Sequence, residues 1–331
     1  MTEWGKNMYK IEMLLFALLM IVGLFLSACN QGNHTSVVIE EPVPATDYNT
    51  SNEYDYYIET PATQDEVLVF PSLYIEADGE PFVERETWID STFTLTDTSE
   101  ILEFEGVEGR IRGRGNSTWR DSNEKRPLRI RFDDARSVLG ADAVSRNWIL
   151  LTNHYDGSLM RNHAAFNFAS LLDGLDWTPS SFFVHLYVNG GYMGVYQLTD
   201  EREAHPKRIS VSESPDPAVS EYIIVLNRHS AVDDSLTEGV DFFNIGLRTY
   251  DYRWPPVDEG SGHVEYVQSF MHMVDETIQS QDFSAISKVI DVDSFVDSYI
   301  VHELFCPVGV GWFCQITSTQ LKFCTCLQQL W

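Results

Sequence analysis

The chain has 331 residues, 50 Asp+Glu against 22 Lys+Arg, a formal net charge of −28, and 13% aromatic residues. That excess of carboxylates repels a phosphate polymer and argues against a nucleic-acid partner. No G-x-x-x-x-G-K-[ST], H-E-x-x-H or G-x-S-x-G pattern occurs, so the commonest phosphate-loop, zinc-protease and serine-hydrolase signatures are excluded.

At the start, Lys6 and Lys10 precede the apolar run MLLFALLMIVGLFL (13–26), which ends in Leu26-Ser27-Ala28-Cys29. The run is too short to span a bilayer comfortably and fits the apolar core of a signal peptide over 1–28. Small residues before a cysteine resemble a bacterial lipobox. Cys29 is therefore expected to carry lipid and hold the protein on the membrane, on the extracytoplasmic side. Residues 29–66 are rich in Asn, Thr, Pro, Glu and Asp without apolar periodicity, and read as a flexible acidic and polar tether.

A globular part follows over 67–305. Segments 67–79 and 88–97 alternate like strands. In RPLRIRF (126–132), Leu128, Ile130 and Phe132 alternate with Arg129 and Arg131, giving a strand with one apolar and one basic face. Residues 145–153 read as a compact apolar strand. A helix is expected next, with Ser158 as N-cap, an apolar face of Leu159, Ala164, Phe166, Leu171 and Leu172, and Gly174 past its end. Two β-rich runs flank Asn189-Gly190 within 181–199, a strong hairpin signal. Residues 221–227 read as a strand, and 262–281 and 293–305 as helices. Strands dominate the first part and helices the second, which favours an α+β fold.

After Glu303 no Asp or Glu occurs, and Cys306, Cys314, Cys324 and Cys326 fall in this last stretch. Their spacing matches no common zinc arrangement and no His lies among them. The abrupt change in composition is that of a slipped reading frame, so 306–331 is expected to be an aberrant tail rather than a metal site. A helical part cut short there would expose Phe295, Tyr299 and Phe305.

Positive charge is concentrated in RIRGRGNSTWRDSNEKRPLRIRF (110–132): Arg110, Arg112, Arg114, Arg120, Lys125, Arg126, Arg129 and Arg131 against Asp121 and Glu124. Gly113, Gly115 and Asn116 would let backbone amides approach an anion, with Arg129 and Arg131 as counter-charge. Pairing of the same arginines with surface carboxylates stands level with that reading.

Four blocks, RGRGNSTW (112–119), KRPLRIRF (125–132), NWILLTNHYDGSLMRNHAAFNFASLL (147–172) and VHLYVNGGYMGVYQLTDE (184–201), together resemble the CotH kinase family, the spore coat protein H-like atypical protein kinases. The resemblance implies a divergent protein-kinase-like fold of two lobes, strand-rich first and helical, here incomplete, second. It also implies transfer of phosphate from ATP, with Mg or Mn, to protein Ser/Thr hydroxyls. On that basis Arg112, Arg114, Asn116, Lys125, Arg126, Arg129 and Arg131 are candidates for holding the nucleotide phosphates. Thr199-Asp200-Glu201 would lead into the inter-lobe linker beside the adenine. Asn167 stands where the family has a helix Glu facing a cation. Pro307 and Gly309 stand where the family has an Asn and its catalytic Asp, and the later metal-binding block is missing. The chain is thus expected to be inactive, retaining no catalytic or metal residue. Two alternatives remain: a nucleotide-binding pseudokinase, and a structural or polymer-binding lipoprotein of the cell envelope.

Overall fold

The computed structural model describes residues 70–82, 84–97, 102–115, 117–119, 125–226, 238, 240–256, 260–305, 312–317 and 320–323. The signal peptide, Cys29, the tether, Asn116, Pro307 and Gly309 lie outside the described residues. No described helix is long and apolar enough to cross a membrane. From Phe70 onward the chain forms one contact unit, of mixed α+β composition.

Seven strands come first: β1 (Ser72–Ala77), β2 (Ile89–Thr96), β3 (Phe104–Gly113), β4 (Leu128–Arg136), β5 (Ser145–Leu151), β6 (Ser181–Val188) and β7 (Gly191–Asp200). They close into a barrel in the order β1-β2-β3-β4-β5-β7-β6. Neighbours are antiparallel except β1 and β6, whose parallel pairing completes the ring. Alternation along each strand sends Ile75, Phe93, Ile111, Leu128, Ile130, Phe132, Trp148, Leu186 and Leu198 inward, and these buried side chains fill the interior. The same alternation turns Arg110, Arg112, Arg129 and Arg131 outward.

The expected hairpin is present. Asn189 (φ 49) and Gly190 (φ 76) both take the left-handed conformation that joins β6 to β7 in two residues. β4 and β5 also match the reading of the sequence. β3 does not figure among the expected strands, because its glycines and alternating charges mask the apolar pattern.

The helix α1 runs Arg161–Ala169, shorter than expected. Its N-cap is Met160, not Ser158, and has no side-chain cap bond. Asp156 serves the first turn instead: its Oδ2 accepts the Arg161 N–H at 2.8 Å while Ser158 Oγ donates to the same carboxylate. Leu171, expected on the apolar face, lies beyond the helix and is 77% exposed. A chain of buried polar side chains ties this helix to the barrel wall. Asn162 Nδ2 donates to Asn153 Oδ1 (2.9 Å), Asn153 Nδ2 to Gln197 Oε1 (2.7 Å), and Gln197 Nε2 to Ser181 Oγ (2.8 Å).

The second part holds more strand than the sequence suggested. β8 (Tyr222–Leu226), β9 (Phe242–Ile245), β10 (Arg248–Trp254), β11 (Trp312–Ile316) and β12 (Leu321–Phe323) form an antiparallel sheet in the order β12-β11-β8-β10-β9. The expected helices appear as α2 (His263–Gln279) and α4 (Val292–Phe305), with the short α3 (Phe283–Val289) between them. Val264, Val267, Phe270, Met271 and Val274 of α2 join Tyr222, Ile224, Phe243 and Ile245 in a second core. Within 306–331, where no structural role was expected, Ile316 and Leu321 enter that core. Helix α4 is not bare. Phe305 packs on Phe168 of α1 at 5.7 Å between ring centroids, Phe295 leans on the second core, and Tyr299 is half-buried.

Candidate anion-binding site

The register of the barrel gathers the arginines. Arg112 on β3 lies opposite Arg129 on β4, and Arg110 lies opposite Arg131 one row away. The row of Arg112 and Arg129 continues through Ile149 on β5 to Thr199 on β7. Arg114 follows Arg112 by two residues, at the point where β3 ends, and its N–H donates to the Pro127 carbonyl at 3.2 Å.

Two carboxylates meet this cluster. Glu201, just past β7, brings Oε2 to 2.8 Å from Arg129 Nε. Its Oε1 accepts the Arg202 N–H at 3.2 Å, and its side chain is 11% exposed. Glu86, on the exposed stretch before β2, pairs with Arg112 Nη1. Trp88 lies under two cations, with Arg112 Cζ at 5.1 Å and Arg110 Cζ at 5.4 Å from its ring centroid.

The pairing is incomplete. Arg112 Nε, Arg114 Nη1 and Arg129 Nε are closed off from solvent with no aligned acceptor among the described residues. The Arg129–Glu201 contact is therefore an ion pair lying off the N–H axis. Burial lowers the pKa of the Arg114 guanidinium; nearby Glu201 opposes that shift, while Arg129 and Arg112 add to it. Buried donors of this kind are ordinarily satisfied, and leaving one unmade costs about 1–3 kcal/mol. Three guanidiniums thus carry three buried N–H groups without an aligned acceptor among the described residues.

The other candidates are placed differently. Lys125 Nζ donates to the Val195 carbonyl and lies 4.4 Å from the Tyr196 ring centroid, and burial lowers its pKa. Arg126 Nη1 donates to the Phe82 carbonyl at 2.6 Å, with its Cζ 5.2 Å from the Trp119 ring centroid. Lys125 thus holds the backbone of β7 and Arg126 the loop at Phe82, each beside an aromatic ring. Arg131 is exposed. Asn167 is exposed and gives its amide to the His163 carbonyl of its own helix at 2.8 Å, bonding none of these arginines. The glycine of the R-G-R-G motif has a packing role: a Cβ on Gly113 would sit 2.4 Å from Trp119 Cη2. Asp200, at the end of β7, enters an ion cluster with Arg208. Arg208 Nε donates to its Oδ1 at 2.8 Å, and Arg208 Nη1 to Glu203 at 2.6 Å.

Glu86, Trp88 and Glu201 escaped the sequence reading as partners of the arginines. Glu86 and Arg112 are 26 positions apart, and the antiparallel pairing of β2 with β3 brings them together.

No curated protein matches the chain. A family model described as CotH kinase protein matches residues 111–307. That match spans β3 to the end of α4, the arginine face included. It covers more than half of the chain, which therefore belongs to the CotH kinase family.

Proposed function

We propose that the outward arginine face of β3 and β4 holds the phosphates of ATP in a lipid-anchored, extracytoplasmic member of the CotH kinase family. One observation carries the reading: Arg112 and Arg129 are cross-strand neighbours with Arg114 next along the chain, and Arg112 Nε and Arg114 Nη1 are buried N–H groups that no described protein oxygen satisfies. The oxygens of a di- or triphosphate supply acceptors of the right number and charge. The family activity is phosphoryl transfer to protein Ser/Thr hydroxyls, which depends on positioning and charge neutralisation rather than on covalent chemistry by the protein. In this reading the barrel is the strand-rich lobe of a kinase-like pair, and the sheet with its helices is the second lobe.

The chain is further proposed to hold the nucleotide without turning it over. Pro307 and Gly309 stand where the family resemblance puts an Asn and the catalytic Asp. Loss of a positioned general base alone lowers a rate by about 10²–10⁴, roughly 3–5 kcal/mol of barrier. Among the described residues no three His, Cys, Asp or Glu side chains gather to hold a metal. These residues do not fit a metal, and no step runs through one here.

Calorimetric titration of the full chain with Mg·ATP, and separately with inorganic pyrophosphate, tests the reading. Salt-sensitive heats with both are expected, and no transfer of radiolabelled γ-phosphate to a protein acceptor. No heat with either ligand refutes the phosphate site. Metal-dependent transfer above a blank refutes the inactivity.

A further inference from the structure

We infer that Glu201, rather than a helix-borne carboxylate, is the residue that positions Arg129 for a phosphate; this rests on the phosphate reading of the same face. Arg112 and Arg129 are direct cross-strand neighbours, and like charges in that relation repel. Left alone, such long side chains swing apart into solvent. Of the groups acting on Arg114, Glu201 is the one that favours its charge, while Arg129 and Arg112 oppose it.

Glu201 is itself held in place. One oxygen takes the Arg202 N–H and the other faces Arg129 Nε. Its position just past β7 is tied to a rigid element, because the neighbouring Asp200 is fixed by Arg208 and by the Ser180 N–H at 2.8 Å. The 2.8 Å contact is made through Nε, and among the described residues no hydrogen bond engages Nη1 or Nη2, the forked end of Arg129. Those two nitrogens are the ones that chelate phosphate. Asn167, the helix residue at the expected position, is neutral and bonded to its own backbone.

A residue that positions the cations and one that merely neutralises them predict opposite signs. If Glu201 only subtracted charge, Glu201→Gln would make the face more positive and bind anions more tightly. As a positioning residue, its loss releases Arg129, and affinity for Mg·ATP and for pyrophosphate falls about tenfold or more. A second variant guards against a folding failure. Arg129→Lys keeps the charge but removes the Nε that Glu201 holds, and is expected to lose a similar factor. The double variant should then lose no more than either alone, a coupling that a purely structural role would not produce. Thermal melts of each variant accompany the titrations. Tighter or unchanged binding by folded Glu201→Gln, or additive losses in the double variant, overturns the role of Glu201 alone. Failure of the unaltered chain to bind either ligand overturns the phosphate reading itself.

Discussion

The most demanding test of the fold is Arg208→Met. Arg208 has no exposed side-chain surface, and its partners Asp200 and Glu203 are 2% and 26% exposed. Its guanidinium also lies 4.9 Å over the Trp148 ring, at one end of the barrel core. Methionine keeps much of the packing on Trp148 but takes the guanidinium away from the Asp200 carboxylate, which keeps the Ser180 N–H among its contacts. Glu203 suffers less, because Ser145 Oγ at 2.5 Å and Asn147 Nδ2 at 2.7 Å still serve it. Removing one partner of a buried ion pair costs about 3–5 kcal/mol. In a domain of this size each kcal/mol is worth about 2–4 °C, so Tm should fall by roughly 10 °C. Urea denaturation and thermal melts followed by circular dichroism read the loss. The cost comes from the carboxylate deprived of its guanidinium and not from lost packing, so Arg208→Met with Asp200→Asn should recover part of it. A single variant within about 1 kcal/mol of the natural chain, or a double variant no better than the single, would refute the reasoning.

Two further outcomes follow from local geometry. Gly113→Ala forces a Cβ to within 2.4 Å of Trp119, so the ring or β3 must move; a loss of about 1–3 kcal/mol in the denaturation midpoint is expected, and no loss would refute the close seating of Trp119. At Asp156, desolvation raises the pKa, but the Arg161 N–H, the Ser158 side chain and N–H, and the Arg161 charge outweigh it and leave the pKa lowered. The stabilisation is therefore fully present above the unfolded pKa of about 4 and is lost as pH falls through the folded value. Asp156→Asn should be less stable than the natural chain at pH 7, with the gap closing in acid. A gap independent of pH would refute the assignment.

The barrel was legible where one face of a strand is clearly apolar. Leu128, Ile130 and Phe132 against Arg129 and Arg131 announced β4, and Asn189-Gly190 announced its hairpin. Closure into a ring was not legible, since the parallel pairing of β1 with β6 joins segments more than a hundred residues apart and leaves no local pattern. β9 and β10 were hidden for another reason: Tyr250 and Asp251 are both buried, so simple alternation fails there. The basic cluster was visible as composition, yet its internal division was not. Nothing in the spacing separates Arg114 from Arg126; only the loop that brings Phe82 and Trp119 to one of them does so.

That division explains how a chain of net charge −28 can keep a cationic site. Long-range attraction to fifty carboxylates is screened within about 10 Å at ordinary ionic strength, so local partners decide which arginines are neutralised. Arg208, itself without exposed side-chain surface, meets two carboxylates, Asp200 and Glu203, so its charge is offset locally. Lys125 and Arg126 rest on carbonyls and rings and act as struts. Arg112, Arg114 and Arg129, with Arg85 on the same Glu86, place four guanidiniums against two carboxylates, and Glu86 is 64% exposed. A surplus of positive charge therefore stays on a half-buried wall, where the lower dielectric strengthens its field.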